Sequence, residues 1–571
     1  MNILAGNVGE KTCFGERRWL PLVFLSVLLV AGGWLAVNRI FQVDEVQTMH
    51  MAWLLAQPDA NQYFNSAEAY LLPLALLSRA FQDPLAYIVA CRLIFYAVFL
   101  ASGCLLARGV AGRSRTKFYG ALCLLGTMPV LWDFGFEVRH DNVVILGLVL
   151  MMRMLFADHT ESEGRSLFWG GCLGGVLFLS SFKSIVLWAP ILVMLALSRV
   201  IGRRVSLTRA MGAVAGGLVT ATIVVFLIHF LAGSLALYVK SARGFFMSVG
   251  GEGIRFFDWT YLWRFARHQP WLLCMSAVFL VVEGRWIFGA GFVGREGGRP
   301  DTRAKEFILL ILGPIFLALN PAPFPYNYLY IVVLAFPAVF HMTTKLFDII
   351  PVKPALLLAV IIVIQGLSAV PQMIRHFSYT NGSQRRAIAY LNAYTDREDR
   401  VFDGAGLAMF RKGPGEMWYL HSLNKAGYRA GIFPSVRNML TQNRCPILLQ
   451  SYKWDFMQSE DLEFIKSHYV PFRMAVWILG SRIPIYEPGA SDFNIFYDGF
   501  YLFCTWNMEP VSEISVDGTP VNPQAVFLRK GEHRLKAEKS AGAVFALWVK
   551  NGRFLPPQVP ELTLPLYVNW Y

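Results

Sequence analysis

Long apolar runs recur through the first two thirds of the chain, separated by short polar links, and then stop. A helix that crosses a bilayer needs about 20 mostly apolar residues. By that rule the runs at 19–39, 85–107, 118–132, 141–157, 167–182, 184–199, 211–234, 270–289, 306–320, 327–343 and 354–371 predict about eleven transmembrane helices. The segment 69–81 is apolar but short and interrupted by Pro73, which predicts a re-entrant or interfacial helix. Lys11, Arg17 and Arg18 precede the first run, as they would in a signal peptide. That run is too long for a signal core and no small-x-small cleavage site follows, so it reads as an anchor.

The pattern changes at Arg375. Amphipathic helices are expected at 383–394 and 461–468, and short strands at 400–402 and 474–479. From residue 493 onward strands and turns alternate, at 493–497, 499–506, 511–516, 525–528, 531–536 and 543–549, with Asp517-Gly518 as a hairpin turn. The fold class expected is therefore an α-helical polytopic membrane protein with a C-terminal α+β domain ending in a small β-sandwich. The two parts are residues 1–374 and 375–571.

Composition agrees: 55% of the 571 residues are hydrophobic and only 16% charged, against about 25% charged in soluble domains. The net charge of +14 would raise the question of nucleic acid, but no basic stripe interleaved with aromatics forms a groove for it. The basic residues serve topology instead. With the N-terminus in the cytoplasm, inner links collect 19 Lys and Arg against nine on the outer side. An odd number of spans then puts the C-terminal domain on the extracytoplasmic face. The eight cysteines show no CxxC pair or zinc-like spacing; Cys445 and Cys504 are either one disulfide or two buried thiols.

Acids and bases gather at the outer ends of the spans. Asp44 and Glu45 follow the first span. The next outer loop holds Glu137, Arg139, His140 and Asp141, and runs straight into the fourth span. Charge at such a position is expensive and is either paired or functional. Glu68 and Tyr70 precede the Pro73 segment, Lys183 occupies a very short loop, and Tyr326 and Tyr328 follow Pro325. A solvated helix cap explains Asp44-Glu45, a structural pair explains Arg139 with Asp141, snorkelling explains Lys183, and an aromatic belt explains the tyrosines. Only their common face argues for a site. The basic and aromatic stretch between residues 235 and 270 reads either as a lipid-touching amphipathic helix or as a cover over the bundle.

The order of these motifs resembles the GT-C glycosyltransferases, over roughly residues 15–345. It is most similar to the branch of protein O-mannosyltransferases and lipid A aminoarabinose transferases. His140 stands where that branch carries Pro in Arg-Pro-Asp, and the Trp-Trp-Asp signature of oligosaccharyltransferases is absent. The resemblance implies a multi-pass protein of the inner (plasma) membrane that takes a polyprenyl-phosphate-linked sugar as donor and transfers it with inversion. The acceptor would be a lipid, glycan or protein outside the cytoplasm. It further implies Asp44 as the general base, with Glu45 and Asp141 as its catalytic companions. Arg139, Lys183, Tyr326 and Tyr328 would take the donor phosphate, with Glu68, Glu137 and His140 as further candidates. No organic cofactor is expected; a divalent ion on Asp44, Glu68 or Asp141 stays open. The alternatives from other classes are a lipid or glycan transporter or flippase, with Arg92 and Arg153 on its path, and a non-catalytic glycan-assembly scaffold.

Overall fold

The computed structural model describes residues 19–57, 69–156, 163–201, 205–249, 259–290, 302–320, 324–350, 354–415, 419–420, 428–429, 431, 433–473, 475–505, 507, 509–511, 513–521, 523, 525–540, 542–550 and 566–567. Glu68 and Arg255 lie outside them. The membrane part opens with α1 (Trp19–Asn38), α2 (Val43–Leu55), α3 (Leu71–Ser78), α4 (Pro84–Ala111), α5 (Arg115–Gly126) and α6 (Pro129–Phe134). It continues with α7 (His140–Phe156), α8 (Glu163–Ser180), α9 (Ile185–Ile201), α10 (Leu207–Leu231) and α11 (Leu235–Val249). Then come α12 (Trp259–His268), α13 (Pro270–Ala290), α14 (Thr302–Leu319), α15 (Tyr328–Ile349) and α16 (Pro354–Ser378).

Among the described residues, six helices are long and apolar enough to cross a membrane, or seven if α12 and α13, which meet at 95°, count as one span. That is fewer than the eleven expected. Helices α5 and α7 have 12 and 17 residues, short of the length needed, and α14 opens on Arg303, Lys305 and Glu306. The α3 helix, eight residues long, is far too short to span. Long apolar faces lie exposed on these helices, as at Ile223, Leu227, Phe230 and Leu231 of α10 and Val363 and Leu367 of α16. In water such patches would drive aggregation, so this is a multi-pass membrane protein. Helix α15 is the central one, with Leu329, Tyr330, Val332, Leu334 and Phe336 fully enclosed. Small residues bring α8 and α10 together: a Cβ on Gly217 would lie 2.1 Å from the Phe168 carbonyl oxygen.

The C-terminal part contains α17 (Gly382–Tyr394), α18 (Val436–Gln442), α19 (Ser459–His468) and two sheets. The first sheet runs β1 (Val401–Phe402), β2 (Ile447–Leu449), β4 (Val476–Ile485), β11 (Gly542–Val549), β6 (Gly499–Cys504) and β9 (Val526–Leu528), with β3 (Tyr469–Arg473) also on β4. Strands β1 and β2 pair in parallel, and the other strand pairs among the described residues are antiparallel. The second sheet, antiparallel, runs β5 (Gly489–Ile495), β10 (Gly531–Ala537), β7 (Ile514–Val516) and β8 (Thr519–Pro520). Its β7–β8 turn is Asp517-Gly518, both at positive φ (51° and 80°), the geometry that favours Asp-Gly in a two-residue hairpin. The sheets share a core in which Phe493 meets Phe503 at 5.9 Å between ring centres. Cys445 and Cys504 are both buried and are not joined to each other by a disulfide.

The two parts are joined where α1 ends. The last carbonyls of a helix lack internal partners, and here residues near α17 supply donors. Asn381 Nδ2 and Arg385 Nη2 donate to the Val37 carbonyl (2.8 and 3.0 Å), and the Asn381 amide donates to that of Asn38 (2.8 Å). Gln384 then brackets Phe41, accepting from its amide (2.7 Å) and donating to its carbonyl (2.8 Å). The chain is thereby held in a fixed course into α2, whose first turn carries Asp44 and Glu45.

Candidate active site

Asp44 and Glu45 are neighbours in sequence and part company in space. Glu45 is completely buried. Arg92 of α4 grips it with Nε on Oε1 (2.8 Å) and Nη2 on Oε2 (2.5 Å). The amides of Gln42 (3.1 Å) and Val138 (3.2 Å) complete its shell. Burial works against the charge, but the Arg92 guanidinium outweighs it and holds the Glu45 carboxyl below the usual carboxylate range. Arg92 spends its remaining donors on the carbonyls of Arg39 (2.7 Å) and Ile40 (2.9 Å). This is a structural clamp that ties α2, α4 and the end of α1 together.

Asp44 instead faces an opening: its side chain is 40% exposed, while Arg139 beside it is 4% exposed. Arg139 Nη1 donates to Asp44 Oδ2 at 2.7 Å and its Nε to Asp141 Oδ2 at 3.1 Å. Its guanidinium lies 3.9 Å from the centre of the Tyr326 ring, and Lys183 Nζ lies 4.5 Å from the same ring. Asp141 is the hub, with the Tyr330 hydroxyl on Oδ1 at 2.5 Å, His140 Nε2 at 3.4 Å and Lys183 Nζ at 3.7 Å. The site thus draws on the starts of α2, α7 and α15 and on the short turns that hold Lys183 and Tyr326. Glu137 stands behind it, paired with the buried Arg39 and 3.8 Å from Arg139. Burial raises the Glu137 carboxyl, with Arg39 opposing.

Of the residues singled out from the sequence, Asp44, Arg139, His140, Asp141, Lys183 and Tyr326 come together. Tyr328 does not join them through these contacts; it stacks on Phe265 of α12, 4.6 Å between centres. Tyr330 holds Asp141 instead, and a spacing of four from Tyr326 along a helix was the available signal. Sequence reasoning also missed that the C-terminal part, the head, contributes here. Lys453, in the turn Tyr452–Phe456, is 6% exposed, and the Asp44 charge reaches it as well as Tyr419 and Tyr452. Burial pushes Lys453 down to about 8, with Asp44 pulling the other way. No three His, Cys, Asp or Glu side chains converge as a metal site requires, among the described residues.

The head reaches Asp44 through one loop. The Asp403 carboxylate accepts from the amides of Ala405 (2.9 Å), Gly406 (2.8 Å) and Ala408 (3.0 Å), curling the chain so that Gly406 lies on α2. A Cβ at Gly406 would sit 3.1 Å from Gln47 Cα, and its φ is +99°. Phe410 follows, between Trp53 and Tyr87. Ser451 Oγ donates to the Asp403 carbonyl at 3.2 Å, fixing the turn that carries Lys453.

No protein-family model and no curated protein sequence matches the chain. Solved structures are similar to it. One is the oligosaccharyltransferase AglB from Archaeoglobus fulgidus in complex with an inhibitory peptide and a dolichol-phosphate, at 10% identity and TM-score 0.40 over 90% of this chain and 76% of that one. The same organism's oligosaccharyltransferase tethered with an acceptor peptide gives 12% and 0.44, over 91% and 76%. ArnT from Cupriavidus metallidurans in the apo state gives 12% and 0.36, over 80% and 97%. Oligosaccharyltransferase and ArnT are both GT-C superfamily membrane glycosyltransferases. At such scores the likeness carries no weight for the chemistry, which rests on the side chains themselves.

Proposed function

We propose that the protein is a membrane glycosyltransferase that moves a sugar from a polyprenyl-phosphate donor to an acceptor hydroxyl on the extracytoplasmic face, with inversion. The N-terminus is cytoplasmic and the head extracytoplasmic in this reading. The observation that carries it is an accessible carboxylate, Asp44, set against the buried Arg139 and Asp141 and the half-buried Lys183.

The arrangement suits the reaction. As the bond between the anomeric carbon and the phosphate oxygen breaks, the leaving phosphate gains charge, which Arg139 and Lys183 stabilise. Preorganised charge of this kind is usually the largest catalytic contribution. Asp141 keeps both cations in place with Tyr330, and Tyr326 supports them from below with its ring face. The acceptor oxygen forms its bond to the opposite face of the anomeric carbon and gives its proton to Asp44. The Arg139 pairing holds the Asp44 carboxyl in place for that task. Glu45, Glu137 and Arg39 are positioning residues. Arg92, which a transport reading would put on a substrate path, is fully buried and committed to Glu45 and backbone carbonyls.

The test is incubation of purified protein with a panel of polyprenyl-phosphate sugars and candidate acceptors, with detection of released polyprenyl phosphate. Asp44→Asn is expected to lower release by about 10²–10⁴-fold, the usual share of a general base, with an unchanged elution profile. Retained release in that variant would sink the role given to Asp44. Vectorial movement of the lipid with no release by the wild type would favour a transporter.

A further inference from the structure

Lys453 is a buried cation that the acceptors on the described residues do not account for. A lysine is almost never fully enclosed unless its charge is met by an acceptor. Here the ammonium sits among three rings, 5.4 Å from the centre of Tyr419, 5.2 Å from Tyr452 and 5.1 Å from Phe456. No described carboxylate or carbonyl takes a hydrogen bond or ion pair from its Nζ. Rings stabilise a cation through their faces, but they leave the three N–H donors unspent.

Its place is specific. The turn that carries it is tied to the Asp403 loop by Ser451, that loop is seated on α2 by Gly406, and α2 opens on Asp44. Lys453 is therefore brought to the Asp44 end of α2 by the head, whereas Arg139 and Lys183 belong to the helical bundle. Inverting transfer puts the leaving phosphate and the incoming hydroxyl on opposite faces of the sugar, with the base beside the hydroxyl. The bundle side already holds the cations a leaving phosphate needs. The head side, with Lys453 among Tyr419, Tyr452 and Phe456, is left for the acceptor.

We propose that Lys453 is a specificity-determining residue that binds an oxyanion carried by the acceptor next to the hydroxyl that is glycosylated. The inference rests on the glycosyltransferase reading and deepens it: the acceptor is acidic, and neutral alcohols are poor substrates. A phosphate, as in a lipid headgroup, and a carboxylate, as in an acidic sugar, share this chemistry. The ammonium recognises either as a point charge, and the rings exclude water around the contact.

The experiment uses the full-length protein in lipid nanodiscs and three small probes: glycerol 1-phosphate, glycerate and glycerol. Calorimetric titration is expected to show binding of at least one of the two anions and none of glycerol; which anion binds identifies the source. Lys453→Gln is expected to weaken that binding about tenfold or more, as the loss of a charge-assisted hydrogen bond does. Lys453→Arg is expected to restore it to within about threefold of the wild type, a rescue that a packing role would not show. Lys539→Gln should leave it within about threefold, since that exposed lysine pairs only with Glu513 at the far sheet. Equal binding by Lys453→Gln, loss of binding in Lys539→Gln, or no binding of either anion by the wild type would each overturn the proposal. Should Lys453→Gln fail to elute as the wild type does, Lys453→Arg and Lys539→Gln decide. Anion binding through Lys453 with no release of polyprenyl phosphate would keep the anion site and remove the transferase reading. Release with no role for Lys453 would do the reverse.

Discussion

Two adjacent acids with opposite fates show what the residue scale decides. Asp44 and Glu45 follow one another on the first turn of α2, so one side chain turns inward and the other toward the opening. Removing one partner of a fully buried ion pair leaves an uncompensated charge and costs roughly 3–5 kcal/mol. Asp44 is half-exposed, and without it the buried Arg139 keeps Asp141 as a partner. Glu45→Gln is therefore expected to lower the thermal unfolding midpoint in detergent sharply, because Arg92 loses its counter-ion. Asp44→Asn should leave that midpoint nearly unchanged while transfer is lost. Equal midpoints for the two variants would contradict the division of labour. In sequence the pair was legible as a unit and its division was not, since Arg92 lies 47 positions away. The same holds for Lys453: nothing local marks it, and only the docking of the head brings it to Asp44. Tyr330 was legible in principle, one helical turn beyond Tyr326.

Among the elements, those with strong local signals were read closest to their true course. Strands β5, β6, β9, β10 and β11 and helices α17 and α19 fall within a few residues of the segments expected from alternation and turn chemistry. Apolar runs were a poorer guide to spans, because hydropathy does not say whether a helix faces lipid or other helices. Helix α7 is short and largely wrapped by protein, and it delivers Asp141 to the site. The loop after β1 had no periodic signal beyond Asp403-Gly404, yet it seats the head on α2. Gly406→Ala tests that seating. The added Cβ would press on the backbone of Gln47, and a positive φ of this kind costs an L-residue about 1–3 kcal/mol. The expected result is lower stability together with reduced transfer, as the Asp403 loop and Lys453 lift from Asp44. Gly518→Ala serves as control: its φ is +80° but nothing lies within 4 Å of the added carbon, so strain there should leave transfer intact.

At the scale of the whole molecule, a change of composition at residue 375 coexists with packing that continues across it. One hydrophobic core takes in Phe41, Val46, Met49 and Trp53 from the region of α2 and Ile388, Phe402, Leu407 and Phe410 from the head. Each large apolar side chain moved from such a core to water costs about 1.5–3 kcal/mol. Exposing four of them costs roughly 6–12 kcal/mol, comparable with the whole stability of a typical domain, about 5–15 kcal/mol. The fragment 375–571 expressed alone is therefore expected to aggregate or to give a collapsed, poorly dispersed amide spectrum, although its sheets are complete in themselves. A well-dispersed spectrum and a cooperative melt from that fragment would show that the shared core is not needed for folding. The dependence has a use at the site. Asp44 comes from the membrane part and Lys453 from the head, so a head that folds only on α2 would fix the distance between the proposed base and the proposed acceptor-binding lysine each time the protein folds.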